Sequence, residues 1–435
     1  MNRAKLMKSK KLGAVLALVV IIIAVMLVIG GGLLTLGANA RIYAIRTAAD
    51  ISARCAADAG LTTALWAMND SLAKKTFSAG NLPQKPDTDL PNSEPPATFN
   101  YTVTALAANN EFGIVSIGRC NAAQRTVWGR LRLRGVGEVG VLVRDSMVLK
   151  AGTLVDGRDS RDPANPNPDV EVQIGTTSTL PAMVVLNNGV TVDGDVLVGY
   201  GVVDPNTVIK DLGATVTGYK GTLDEEPEFP PITPPVLPNM GMIFAQDKTI
   251  QVGPAQSGRY NSIVLKNASE PAKLEILGGH VILYITGDIS LGNSCEIVIK
   301  QIEGMPHASL DLYVNGDIKS GEGSGFNLEP GCTPPDLKLW GLAQDPLPAD
   351  AQQSWQLNAK SEYFGQIYAP EATVQVNAKG DLYGAFTAYG FEMKSGGNLY
   401  YDGALSNVNP NDPGVRFVLK RWGEGEENLP YAAGL

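Results

Sequence analysis

The chain has 435 residues, enough for two or three domains of ordinary size. Its net charge is −9, yet Arg3, Lys5, Lys8, Lys10 and Lys11 crowd five positive charges into the start, so the remainder carries about −14 once those are set aside. So acidic a body excludes nucleic-acid binding, which needs a basic face, and four scattered cysteines with no CxxC exclude a zinc framework.

The first predicted element is a basic tip, residues 1–11. Leu12 to Leu36 then runs 25 residues without a charge. A bilayer core needs about 20 residues of helix, and an export signal has an apolar core of only about 7–15, so 12–36 reads as a retained transmembrane helix. The basic residues ahead of it place the N-terminus in the cytoplasm. Gly30, Gly31 and Gly32 soften the second half of the span, at about 1 kcal/mol each against alanine.

No proline interrupts the Ala-rich run from Ala38 to Lys75, so the helix is expected to continue over 37–77. Ile42, Ile45, Ala49, Ala53, Ala56, Leu61, Leu65, Met68 and Leu72 recur at helical spacing and form one face. The whole rod, around 60 residues or about 90 Å, needs a partner for that stripe. The partner is either the chain's own globular part or neighbouring subunits of a filament.

Residues 78–97 read as a Pro-rich linker. Three alternating segments follow, 99–106, 112–120 and 125–134, separated by turn residues, and predict a small antiparallel head over 98–135. Arg130, Arg132 and Arg134 lie on one strand face, read as solvated.

From Val136 short apolar runs alternate with Gly, Asn and Asp. VTVDGDVLVG (190–199), LYITGDISLG (283–292), LYVNGDIKSG (312–321) and VQVNAKGDLYG (374–384) resemble one another. A period of about 20–30 residues built from short strands predicts a β-solenoid over 136–410, with an Ig-like sandwich as the alternative. The segment 223–240 holds six prolines and is expected to be extended and exposed. In the tail, 411–435, Val415–Lys420 is expected to form a strand capping the solenoid.

The N-terminal order of basic tip, Gly13, apolar helix and AADISARCAADAGLTTALW resembles PilX-type pilus-assembly proteins, which are minor-pilin-like. The resemblance covers roughly residues 1–135 and implies prepilin-peptidase cleavage at Gly13–Ala14. Pilins usually carry Glu at the fifth residue after that bond, where this chain has Leu18. Residues 361–405 resemble the end of an uncharacterised β-helical domain that often follows such N-termini, through Gly365, Ile367, Tyr368, Ala369, Pro370, Gly380, Asp381, Gly384, Ala385, Tyr401, Asp402 and Leu405. Together the two resemblances imply a pilin-like helix and sheet followed by a right-handed parallel β-helix.

Chemistry is sparse. Asp156, Asp159 and Asp162, with Asp169 nearby, form the one candidate calcium loop, but Arg158 and Arg161 oppose it and the spacing is not that of an EF-hand. Asp195, Asp288, Asp317 and Asp381 could stack on one edge as the acids of a polysaccharide-active enzyme, although an Asp in a Gly-Asp corner usually bonds its own backbone. His280 reads as a strand-edge residue and His307 as a loop residue. Cys295 with Cys332 is the disulfide to consider among Cys55, Cys120, Cys295 and Cys332. The expectation is therefore a mainly β, single-pass envelope protein with no enzymatic activity and no cofactor. Its partners would be pilin-like subunits or a pilus assembly platform in a type IV pilus or secretion pseudopilus. The alternatives are a membrane-tethered polysaccharide enzyme and a static envelope scaffold.

Overall fold

The computed structural model describes residues 3–106, 111–161, 170–329, 331–342, 349–358, 363–377, 381–394, 396–406 and 409–425, with side chains of 3–14, 327–328 and 363–364 left aside. The protein is mainly β with one long N-terminal apolar helix. It divides into two compact units, Met1–Leu133 with Phe417–Leu435, and Arg134–Arg416.

In the first unit, α1 runs unbroken from Arg3 to Ala73, 71 residues and about 105 Å at ~1.5 Å per residue. Its C-terminus has a physical stop. Lys75 takes a left-handed φ of 54°, Lys75 N–H donates to Leu72 O and Thr76 N–H to Ser71 O, so these two carbonyls of the last turn are satisfied. The antiparallel strands β1 (Gln84–Asp89), β2 (Thr98–Ala105), β3 (Glu111–Cys120) and β4 (Ala123–Arg134) form a sheet beside it. β1 lies in the expected linker. As the outer strand it tolerates Pro86.

The Ala stripe of α1 is spent inside this unit. Ala49, Ala53, Ala56, Ala57, Ala64, Met68 and Leu72 are buried, where α1 packs on β2 and β3. Small residues let the two backbones close up. A Cβ added to Gly118 would sit 1.9 Å from Ala53 O, and one added to Gly60 2.1 Å from Ser116 Oγ. The expectation that the stripe serves neighbouring subunits is corrected for this half of the helix; its partner is the chain's own sheet.

The second unit is a stack of parallel strands. In chain order they are β5 (Val141–Val143), β6 (Met147–Leu149), β7 (Leu154–Arg158), β8 (Gln173–Thr176), β9 (Val184–Leu186), β10 (Thr191–Val192), β11 (Asp195–Val198), β12 (Ile209–Asp211), β13 (Thr215–Val216) and β14 (Lys220–Thr222). After the Pro-rich segment come β15 (Asn239–Gln246), β16 (Thr249–Val252), β17 (Gly258–Lys266), β18 (Lys273–Ile276), β19 (His280–Ile285), β20 (Ile289–Leu291), β21 (Glu296–Ile299), β22 (Ser309–Val314), β23 (Ile318–Ser320), β24 (Gly325–Leu328), β25 (Leu337–Gly341), β26 (Gln353–Leu357), β27 (Tyr363–Val376), β28 (Leu382–Met393) and β29 (Asn398–Asp402). Parallel pairing throughout excludes the Ig-like sandwich, whose strands are antiparallel.

The coils do not stack in chain order. Along one column the neighbours are β14, β11, β8, β5, β28, β27, β25, β22, β19, β17 and β15. The chain thus starts mid-stack at β5, builds outward to one end at β14, crosses to the opposite end at β15 and returns, until β28 and β29 pair with β5, β6 and β7. The Pro-rich segment 223–238 makes the crossing. Eleven strands at ~4.8 Å span about 48 Å, and the sixteen connecting residues at ~3.1 Å in polyproline form reach about 50 Å. Proline composition supplies the stiff strap that the coil order requires.

The strap is held by an in-register ladder of outward aromatics. Tyr284, Tyr313, Trp340 and Tyr368 face the same side of successive strands. Ile232 of the strap is buried with Tyr313, Trp340 and Tyr368, and Phe229 packs at the margin. Tyr368 Oη donates to Pro230 O at 2.8 Å. Inward Val, Ile and Leu side chains form the core, joined by Trp355, whose Nε1 donates to Gly316 O at 3.2 Å.

The tail departs from expectation. β30 (Arg416–Glu424) joins the head sheet beside β4 and does not cap the stack. Phe417 lies 5.2 Å from both Phe77 and Phe112, and its backbone exchanges two hydrogen bonds with the Asn69 side chain. An open edge on β4 and an aromatic pocket next to the helix end outcompete the stack for this strand.

Candidate functional site

Two regions carry functional promise: the uncovered half of α1 and the corners of the coil stack. From Val15 to Leu36 the apolar side chains of α1 are exposed; this part is long and apolar enough to cross a membrane, with mean hydropathy 3.0 and none of that window buried. Exposed apolar side chains continue past it at Ile42, Tyr43, Ile45 and Ile51. Gly13 and Ala14 lie inside α1, and Leu18 is one of the exposed residues.

The candidate calcium residues are not assembled. Asp159 is engaged by Arg161, whose Nε and Nη2 donate to it at 2.8 and 2.5 Å. That guanidinium holds the Asp159 carboxyl below its usual range, and Asp159 raises Arg161 in return. Asp156 accepts from the Gly157 N–H at 2.7 Å. Asp162 and Asp169 lie outside the described residues. Among the described residues no group of three or more acidic, His or Cys side chains could hold a metal ion.

Of the four Gly-Asp corners only Asp288 and Asp317 stack on each other, before the paired strands β20 and β23, while Asp195 and Asp381 belong to other columns, which corrects the expectation of one shared acidic edge. The carboxylates of Asp195, Asp288 and Asp317 serve the neighbouring coil rather than their own turn. Asp195 accepts from Tyr219 N–H at 2.8 Å, Asp288 from Asp317 N–H at 2.9 Å and Asp317 from Ser354 N–H at 2.9 Å. Asp381 accepts from Asn398 Nδ2 and Tyr383 Oη. A turn leaves an N–H without a ladder partner, and in a parallel stack the nearest acceptor is the Asp one coil away. This corrects the expectation of a self-bonded corner. Asn293 does the same for Glu322 N–H.

His280 bridges two strands: its Nδ1 meets Ser309 Oγ at 2.9 Å and its Nε2 lies 3.4 Å from Asp311. Asp311 raises the His280 pKa. His307 Nε2 meets Asp336 at 2.7 Å. All four cysteines are free; Cys332 Sγ donates to Ile299 O at 3.5 Å, and burial pushes the Cys295 and Cys332 thiols up. Tyr368, beneath the strap, is likewise raised by burial.

Sequence reasoning gave no role to Asp402. It is 1% exposed, and its Oδ1 accepts from Ser160 N–H at 3.1 Å and Ala404 N–H at 2.9 Å. It therefore ties the last coil to the loop after β7, across the seam that closes the stack. Its position in the Tyr401–Asp402 pair was visible, but a contact 242 residues away in sequence was not.

A family model described as a domain of unknown function (DUF7305) matches residues 227–408, less than half of the chain. It begins within the strap and covers the coils from β15 onward, leaving β5–β14 outside. No curated protein matches the sequence. Among solved structures, the competence-associated pilin ComZ from Thermus thermophilus is similar at 13% identity over 87% of this chain and 97% of that one, with a TM-score of 0.26. An ice-binding protein from the Antarctic ascomycete Antarctomyces psychrotrophicus is similar at 13% identity over 63% and 96%, with a TM-score of 0.25. An ice-binding protein from an Antarctic Flavobacteriaceae bacterium is similar at 12% identity over 61% and 66%, with a TM-score of 0.17. Similarities this slight carry no inference about what this chain does.

Proposed function

We propose that this chain is a non-enzymatic, membrane-anchored, minor-pilin-like component of a type IV pilus or a type II secretion-like pseudopilus. The N-terminus faces the cytoplasm, and prepilin-type processing falls at Gly13–Ala14. The coil stack is a right-handed parallel β-helix, the hand that parallel crossovers overwhelmingly adopt, displayed outside the membrane for assembly or adhesion.

The observation that carries this reading is the division of α1. One continuous helix buries its C-terminal half against its own antiparallel sheet and leaves its N-terminal half bare and apolar. Such a rod can sit in a bilayer and then among the rods of a filament without refolding. What supports the non-enzymatic part is that Asp195, Asp288 and Asp317 are occupied by backbone N–H groups and form no free acid pair.

A photo-crosslinking residue in place of Leu27 or Ile29, in the full chain in its native envelope, tests the reading. Adducts with other pilin-like subunits are expected. Adducts with lipid alone, under conditions where filaments assemble, would favour a static scaffold.

A further inference from the structure

The two ends of the coil stack are built differently. One end finishes in β12, β13 and β14, of three, two and three residues. Lys210, Asp211 and Lys220 lie there, and Lys220 Nζ is 2.7 Å from Asp211. Short strands and charges are the usual protection of a sheet edge against another chain. The other end finishes in β15, eight residues with neither charge nor proline, which among the described residues pairs only with β17. Met240, Met242 and Phe244 are 44%, 53% and 41% exposed on it. Beside it β16 is also uncharged and, among the described residues, pairs only with β18.

We propose that the β15 edge is an interface for a second copy of this chain, formed by antiparallel pairing of β15 with its counterpart around a two-fold axis. An edge strand offers main-chain donors and acceptors to any strand, so the side chains decide the occupant. An isologous contact requires a patch that complements itself, and an uncharged row of Met, Met and Phe does so. Keeping Ile243 and Ala245 on the core side of both copies sets Met242 opposite its own counterpart and Met240 opposite the second copy's Phe244. The register of β15 with β17 shifts on both sides of Gly241, and an axis at Met242 sets Gly241, which carries no side chain, opposite the second copy's Ile243. Head-to-tail stacking on the β14 end is the poorer fit. It would desolvate the Lys220–Asp211 pair against methionines and supply no new partner charge.

The test uses the full-length chain in detergent, with exposed Cys55 changed to Ser. Met242→Cys is expected to give a disulfide-linked dimer under mild oxidation. Phe244→Lys, or Met240→Lys where the first folds poorly, is expected to halve the protein mass measured by light scattering while the thermal melt stays put. No Met242→Cys crosslink, or an unchanged mass in folded lysine variants, overturns the proposal and assigns any self-association to α1. A mass that grows with concentration and is relieved by Lys220→Ala indicates head-to-tail contact and overturns it equally.

Discussion

The helix–sheet unit and the coil stack hold together by different means. In the first unit a few places of backbone approach decide everything: Gly118 against Ala53 O and Gly60 against Ser116 leave no room for a side chain. In the stack each coil repeats the same bargain of inward aliphatics and corner acceptors, and contacts between successive coils recur every 17 to 37 residues. The first unit should therefore break at one residue. The stack should lose stability coil by coil, because nearest-neighbour terms dominate a repeat.

The sharpest way to break the comparison is Gly118→Val. Its Cβ collides with helix backbone that cannot move alone, so loss of the head fold is expected, with a cost above about 3 kcal/mol. Proteolysis of α1 between Ala49 and Leu72, with the stack still resistant, is the readout. Next comes Trp355→Ala in the stack, where a fully buried indole and its hydrogen bond to Gly316 O are lost. About 3–5 kcal/mol is expected, with hydrogen exchange rising in the coils around β23 and β26 and little change in the head.

A smaller effect is expected from Asp317→Ala, which strips the acceptor from Ser354 N–H; about 1 kcal/mol should be lost, seen as faster exchange at that amide. The pH dependence is finer still. Asp211 is lowered to about 2 by Lys220 and by the Ala214 and Gly213 N–H groups. A lowered acid contributes stability above its ordinary value near 3.8 and loses it as pH falls towards 2, so the β14 end should loosen in acid over that range. His280 has the opposite sign. Its raised pKa gives stability that is complete below about 6.5 and disappears as pH rises through the folded value. Being half exposed, it should be worth below about 0.5 kcal/mol, and His280→Gln should flatten that slope in a thermal melt.

The long helix, the strand alternation of 99–134 and the repeating coils were legible because each rests on local period. The run without charge from Leu12 to Leu36 needs no partner to be recognised. What was not legible depends on distant closure. Arg416–Glu424 reads as a strand in either place, and only the free edge of β4 and the Phe77–Phe112 pocket decide its destination. The order of coils is set by β28 meeting β5 and by Asp402 meeting Ser160, neither of which leaves a periodic trace. The six prolines announced an extended segment, but its task of spanning the stack appears only once the coil order is known. At the candidate calcium loop, Arg161 was already visible as a rival for Asp159, and it is the partner the carboxylate takes.

The central claim is that the uncovered half of α1 is kept in the mature protein as an anchor and assembly rod. Mass spectrometry of the mature N-terminus, on protein taken from sheared filaments and from membranes, tests it most directly. A chain beginning at Ala14 with the apolar run intact is the predicted result. A chain found free of both fractions and beginning beyond Leu36 would contradict it.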